Sequence, residues 1–305
     1  MAPMDGETMW SPPVDPTVIT EALFSWFDEH HRPFPWRSVD DPWQLLVLEV
    51  MSQQTQLERV TAPWEAFIER WPTPHSLAAA SSGEVIAFWS EHRLGYNRRA
   101  AYLHEAAAMV LEAFDGELPS SPSALQRLPG VGPYTANAVA SFAYNTGDPV
   151  IDTNVKRVLF RAFEVTDEDT AYESAAAELA EDADIGRWNG AIMELGGVAC
   201  GSTPRCDEVA CPLRRWCRAY HTGDFTAPDV PEQPAFEGSR RQHRGRVLSV
   251  LRAASPRSVD ELGKHLDESY DSTDPAARGW LDGLLEGMVA DQLIEVDDED
   301  VSFPD

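Results

Sequence analysis

Lysine is nearly absent. Lys156 and Lys264 are the only two in 305 residues, so arginine supplies almost all of the 24 basic side chains, against 51 Asp and Glu and a net charge of −27. No apolar run reaches membrane-spanning length, and the N-terminal MAPMDGETMWSPPVDP has acid where a signal segment would have cations and an apolar core. The expectation is a cytoplasmic chain with no membrane partner. Cysteine is missing everywhere except Cys200–Cys217, where all four fall. In a cytosolic chain such confinement disfavours a disulfide framework and favours a metal or cluster. The acidic excess is spread along the chain, with only Asp297–Asp305 reading as an acidic tail. That spread is expected of a protein adapted to a salt-rich cytoplasm, where self-repulsion is screened.

So acidic a chain would ordinarily be struck from the nucleic-acid binders. In molar salt, however, the Debye length falls to ~3 Å and affinity for phosphate charge falls steeply. Recognition must then rest on main-chain amides, stacking and shape, and net charge stops being informative.

The length predicts about two domains. Helical spacing covers Val18–Glu29, and the proline-rich HHRPFPWRSVDDPW follows. Asp41-Pro42 then reads as an N-cap with proline at the first position of a helix over Trp43–Val60. That helix is apolar nearly all round, with one carboxylate, Glu49, in its middle. Short helices joined by Pro/Gly turns continue to Leu128, without sustained period-two alternation, so the fold class is all-α. After Cys217 a proline-rich, unpatterned linker leads to a small C-terminal region. There Ser258–Glu261 is a capping box and LIEV–DDED–VSF reads as a hairpin, so three helices and a hairpin resemble a winged helix-turn-helix. The longer helix, Pro275–Leu293, carries Asp282, Glu286 and Asp291 against Arg278 alone, which suits packing or a protein partner as well as base reading. The basic run Arg240–Arg246 either touches phosphate or solvates the end of the linker.

Leu128-Pro129-Gly130-Val131-Gly132-Pro133 cannot continue a helix and forms a tight turn into one. Gly130, Val131 and Gly132 let main-chain N–H groups approach a phosphate at a helix N-terminus, unless the segment is a plain interhelical turn. Asp152 stands at the cap of the next helix, where exposed amides favour the anion. Glu49, in apolar surroundings, is expected to stay protonated. Such a pair, pushed apart in pKa, suits cleavage of an N-glycosidic bond, with one group protonating the leaving base and the other facing the sugar cation. Each alone also reads as structural, Glu49 as a buried partner of backbone or arginine and Asp152 as a plain N-cap. The cysteines run C-x5-C-x4-C-x5-C. Only one gap suits the close pairs of a zinc site, so a [4Fe-4S] cluster on Cys200, Cys206, Cys211 and Cys217 is favoured over zinc or free thiols. Arg205, Arg214, Arg215 and Arg218 lie among them, to neutralise the cluster or meet a DNA backbone.

Helix–hairpin–helix, an aspartate twenty residues after Gly132 and a four-cysteine loop resemble the endonuclease III superfamily of DNA glycosylases. Pro35-Trp36-Arg37, LEVMSQQTQ, LGYNRRA, LPGVGPYTANAV and VIDTNVKRVL are similar to the A/G-specific (MutY-type) adenine glycosylases within it. The resemblance, from Val18 to Tyr220, implies that Glu49 protonates adenine and that Asp152 stabilises or captures the sugar cation. It implies support for these two from Tyr134 and Asn154, and probing of the base stack by Gln54 and Tyr96. It implies duplex DNA carrying A opposite 8-oxoguanine or G as partner, a monomer, and a nucleoid-associated place in the cytoplasm. Tyr134 occupies the position of the Schiff-base lysine of bifunctional relatives, which implies a monofunctional enzyme. The implied architecture is a two-lobed helix-hairpin-helix fold over 18–220. It has a six-helix lobe at about 43–135 and a cluster lobe from 18–42 plus 136–220. A flexible 1–17, a linker over 221–240 and a winged-helix-like domain over 241–305 complete it. The family usually spaces the first cysteines x6 and x2, has a second tyrosine where Asn97 stands, and carries a Nudix-like domain larger than this tail. A G/T-mismatch thymine glycosylase of the same fold, and a non-catalytic iron–sulfur DNA-binding regulator, are the alternatives.

Overall fold

The computed structural model describes residues 10–165, 169–229 and 235–305. Most of the expected flexible N-terminus and the middle of the expected linker lie outside the described residues. Helices dominate. Asp15 caps α1 (Pro16–His30) by accepting from Thr17 N, and a 3₁₀ turn (Pro35–Ser38) interrupts the proline-rich stretch after it. Asp41 accepts from Gln44 N at the start of α2 (Pro42–Ser52). This helix ends at Ser52 rather than at Val60, and α3 (Leu57–Arg70) begins after a four-residue loop and runs through Pro63. Capping boxes at Thr73 and Ser81 open α4 (Pro74–Ala78) and α5 (Ser82–Glu91). Then follow α6 (Arg98–Ala113), α7 (Pro122–Leu125), α8 (Pro133–Tyr144), α9 (Thr153–Phe163), α10 (Asp169–Leu179), α11 (Ile185–Val198) and α12 (Arg218–Thr222). The C-terminal region is α13 (Arg240–Ala253), β1 (Arg257–Ser258), α14 (Val259–Leu266), α15 (Pro275–Ala290), β2 (Glu295–Asp297) and β3 (Asp300–Ser302). The expected hairpin is the β2–β3 pair. β1 joins it antiparallel, giving the order β1-β3-β2. No helix of the described residues is long and apolar enough to cross a membrane.

The chain divides into two compact units. One comprises Met1–Leu45, Ser120–Ala124 and Gly132–Glu232; the other comprises Leu46–Pro119, Leu125–Val131 and Gln233–Asp305. In the first, α11 packs on α1, α8 and α9 around Leu23, Trp26, Leu159, Tyr172, Trp188 and Leu195. Its one deeply buried carboxylate among the described residues, Glu194, accepts from Arg32 N and Nε at 2.9 and 2.8 Å and from Arg37 Nη2 at 2.6 Å. Burial pushes the Glu194 carboxyl up, but the two arginines more than offset this and hold it below the ordinary range. The contribution to stability is therefore present above the unfolded value and lost as pH falls through the lower folded one. Removing one partner of a buried pair leaves the others uncompensated. Glu194→Ala is expected to cost about 3 kcal/mol and to lower Tm by roughly 6–12 °C. Thermal melts at neutral pH check the loss; at a pH below both carboxyl values the variant and the parent should converge.

In the second unit, α4 and α5 pack against α6, with Phe67, Trp71 and Phe88 meeting at ring centroids 4.8–5.4 Å apart. The C-terminal region packs onto α5 through α13, and Gly83 N donates to Pro304 O at 2.9 Å. Arg278 on α15 is ringed by Asp260, Asp282 and Glu299, so the helix has no unpaired cation among its described side chains.

Candidate active site

The hairpin before α8 turns on Gly130, whose φ of +75° is open to glycine at no steric cost. A Cβ there would also stand 2.8 Å from Tyr102 Cβ, so any side chain would be excluded twice over. Val131 N donates to Leu128 O at 3.1 Å, and Gly132 then caps α8 with no side-chain acceptor while Pro133 takes its first position. The first turn of α8 thus starts from bare backbone, the arrangement that presents amides to an anion. Tyr134 follows at once and is half-buried.

Asp152 caps α9. Its Oδ1 accepts from Val155 N at 2.7 Å and its Oδ2 accepts from Asn154 Nδ2 at 2.8 Å. The orientation of the Asn154 amide is set in turn, because Arg157 Nη2 donates to Asn154 Oδ1 at 2.7 Å and to Gly196 O at 2.9 Å. Gly196 is itself required: a Cβ there would lie 2.6 Å from Asn154 Cβ and displace the amide from Asp152. Arg157 Nε donates to Cys200 O at 2.6 Å. One continuous chain of hydrogen bonds therefore runs from the Asp152 carboxylate to the first residue of the cysteine loop. Burial lowers the Arg157 pKa, opposed by the nearby Cys200 and Asp152.

None of the four cysteines is in a disulfide. Burial, then neighbouring Cys200 and Cys217, raise the Cys206 thiol, and burial, reinforced by Cys206, Cys200 and Cys217, pushes Cys211 up to about 12. Cys206, Cys211 and Cys217, all raised in this way, need an added positive centre to serve as thiolates, which is the donor chemistry of a metal site. Among the described residues, no group of three or more His, Cys, Asp or Glu side chains is gathered as a single ion requires. A cluster, being larger than an ion, accepts ligands that stand further apart. The arginines expected to neutralise the loop mostly do something else: Arg205 pairs with Glu208, Arg214 with Asp207, and Arg218 with Glu164 and Asp224. The cations that reach Cys200 come from α9. Arg161 Nη1 donates to Gly201 O at 2.7 Å and lies 3.6 Å from Cys200 Sγ.

In the other unit, Glu49 sits mid-α2 and is 8% exposed. One turn on, the loop between α2 and α3 carries Gln54 at φ 54°, and the loop before α6 carries Tyr96 at φ 43°. Both residues line one pocket of ≈470 Å³ with Gln53, Asn97 and a set of arginines. Two left-handed non-glycine residues at one pocket mark backbone that the surroundings over-determine. What holds them is Arg99. Its Nη1 donates to the carbonyls of Val50, Met51 and Gln53, and its Nη2 to those of Leu94 and Gly95. Burial lowers its pKa to about 10, still charged at neutral pH. Neither Arg99 nor Arg157 was expected from sequence. Both are arginines within the first two turns of a helix that opens at an expected site, and that position is the signal that would have found them.

The structure thus joins Asp152 and Asn154 to the cysteine loop in one unit, with Tyr134 on α8 there, and joins Gln54 to Tyr96 in the other, where Glu49 also lies. Residues 47–181 match the model of the HhH-GPD superfamily of base excision DNA repair proteins. The chain is 41% identical to an adenine DNA glycosylase of Mycobacterium tuberculosis over 89% of its length and 88% of the relative's. It is 40% identical to the adenine DNA glycosylase of Mycolicibacterium smegmatis, over 90% and 91%. Among solved structures it superposes on a thermostable thymine-DNA glycosylase with TM-score 0.62 and 25% identity, covering 68% of this chain and 97% of that one. It superposes on an endonuclease III–DNA complex with TM-score 0.57 and 26% identity, covering 67% and 94%. The chain belongs to the adenine DNA glycosylases of the HhH-GPD base excision repair superfamily.

Proposed function

We propose that this protein is a monofunctional DNA glycosylase that removes adenine paired with 8-oxoguanine or guanine. The observation that carries the reading is the Asp152 carboxylate, fixed by Val155 N and Asn154 Nδ2 at the head of α9 in a chain of this family. In the proposed reaction adenine is flipped from the duplex. Glu49, from its buried place on α2, gives a proton to the purine ring and turns a poor anionic leaving group into a neutral one. As the C–N bond breaks, positive charge grows on the sugar, and water adds to that carbon with loss of a proton to leave an abasic site. Asp152 faces that charge as a preset anion, so no reorganisation is needed at the moment of cleavage. Asn154 keeps the carboxylate in place, and Tyr134 stands where a lyase would need an amine nucleophile. Gly130, Val131 and Gly132 offer main-chain amides to the strand. A [4Fe-4S] cluster on Cys200, Cys206, Cys211 and Cys217 would supply the positive centre that these thiolates need and so fix the loop.

The test is incubation with an 8-oxoG:A duplex in concentrated KCl, followed by alkali. Strand cleavage at the adenine only after alkali is expected, together with a broad visible absorbance from the purified protein. Cleavage without alkali refutes the monofunctional assignment. Action on a G:T duplex in place of 8-oxoG:A favours the thymine reading, to which the 0.62 TM-score superposition would then attach. A colourless, zinc-containing protein refutes the cluster.

A further inference from the structure

The pocket at Gln54 and Tyr96 is walled by the C-terminal region, and its charge is opposite to that of the chain. Arg98 and Arg99 of α6 and Arg240, Arg241 and Arg244 of α13 line it, with Asp291 the only acid. Five arginines against one aspartate, in a molecule of net charge −27, are not a sample of its average surface. The arginines are also positioned. Arg241 Nη1 donates to Tyr96 Oη at 2.6 Å, and the guanidinium carbon lies 5.2 Å from the ring centroid. Arg240 Nη2 donates to Gly283 O at 2.6 Å and lies 3.1 Å from where a Cβ on Gly287 would stand, so α15 leaves room for it. Asp291 bridges Arg98 and Arg244, an internal anion between two cations.

We propose that this pocket binds backbone phosphates of duplex DNA, and that α13 rather than α15 is the nucleic-acid element of the C-terminal region. The proposal rests on duplex DNA being the substrate. Arginine forks match phosphate oxygens bidentately, which lysine does not, and the chain has almost no lysine to offer. Arg278, the one basic residue of α15, is already enclosed by Asp260, Asp282 and Glu299. α13 therefore holds the cations that remain for a partner. The phosphate would lie beside Tyr96 and Gln54, so the C-terminal region would grip the strand next to the residues assigned to the base stack. This gives the short tail a role without any likeness to the Nudix-like domain.

The test is equilibrium binding to a fluorescent 8-oxoG:A duplex across a salt series. It compares the full-length protein with R240Q/R241Q, D291N and R252Q, Arg252 being exposed at the far end of α13. R240Q/R241Q is expected to weaken binding about tenfold or more and to flatten the log Kd–log salt slope by about 1–2. R252Q should leave both unchanged. D291N, which removes the internal competitor, should tighten binding, a gain that misfolding cannot produce. A folded R240Q/R241Q protein with wild-type affinity and slope overturns the proposal, as does D291N binding no tighter than wild type. Wild-type excision is scored in parallel. A protein that binds the duplex but spares adenine fails the glycosylase reading, while the binding series still decides the pocket.

Discussion

Asp152→Asn is expected to abolish adenine excision, by at least about 10³-fold in single-turnover rate, equivalent to about 4 kcal/mol of barrier. Duplex affinity should stay within about threefold, a range far smaller than the catalytic loss. The geometry explains why this substitution is clean. Asparagine is as good an N-cap as aspartate, so its Oδ1 keeps the bond from Val155 N and α9 keeps its first turn. What goes is the negative charge that the proposed mechanism sets against the sugar. The change is also read by Asn154: Arg157 fixes its Oδ1, so its Nδ2 meets an amide nitrogen in place of Oδ2. Glu49→Gln removes the proposed proton donor and not the volume, and should cost about 10²–10⁴-fold. If both variants lose duplex binding along with excision, the two carboxylates are structural and the assignment of roles fails.

Local signals were legible and distant ones were not. The Asp152 cap, the Ser258–Glu261 box, the glycine hairpin and α6 over Arg98–Ala113 all rest on residues within one or two turns of each other, so side-chain type and spacing suffice to read them. β1 escaped because two residues carry no period; only its pairing with β3, more than forty positions away, makes it a strand. The break after Ser52 escaped for the same reason. Gln53-Gln54-Thr55-Gln56 contains neither glycine nor proline, and nothing in it argues against a helix continuing to Val60. The stop comes from a guanidinium 46 positions on, which takes the carbonyls that another turn of helix would have used. The C-terminal arginines were visible as a run, but which of them remain free of acid partners depends on where α15 and Asp291 lie.

That stop makes Arg99 the residue whose loss should be felt most in the fold of its unit. Arg99→Met keeps length and apolar volume yet withdraws both nitrogens. The carbonyls of Val50, Met51, Gln53, Leu94 and Gly95 then lose their donor in a region where Arg99 itself is only 7% exposed. An acceptor left unsatisfied in the interior costs about 1–3 kcal/mol, so several together exceed the 4–5 kcal/mol that marks an exceptional substitution. A fall in Tm of roughly 8–20 °C follows for a unit of this size. Arg99→Lys should recover little of it, because an ammonium cannot span two sets of carbonyls with one planar fork. The functional consequence is separable from the loss of stability. Gln54 and Tyr96 hold left-handed backbone that costs of order 1–3 kcal/mol each and persists only while its surroundings impose it. Below the lowered Tm, the variant should therefore bind a mismatched duplex more weakly than wild type while Asp152 and its partners, in the other unit, keep their bonds. A variant that melts with wild type and discriminates duplexes as well would show that the loop holds its own shape, and that Arg99 only fills space.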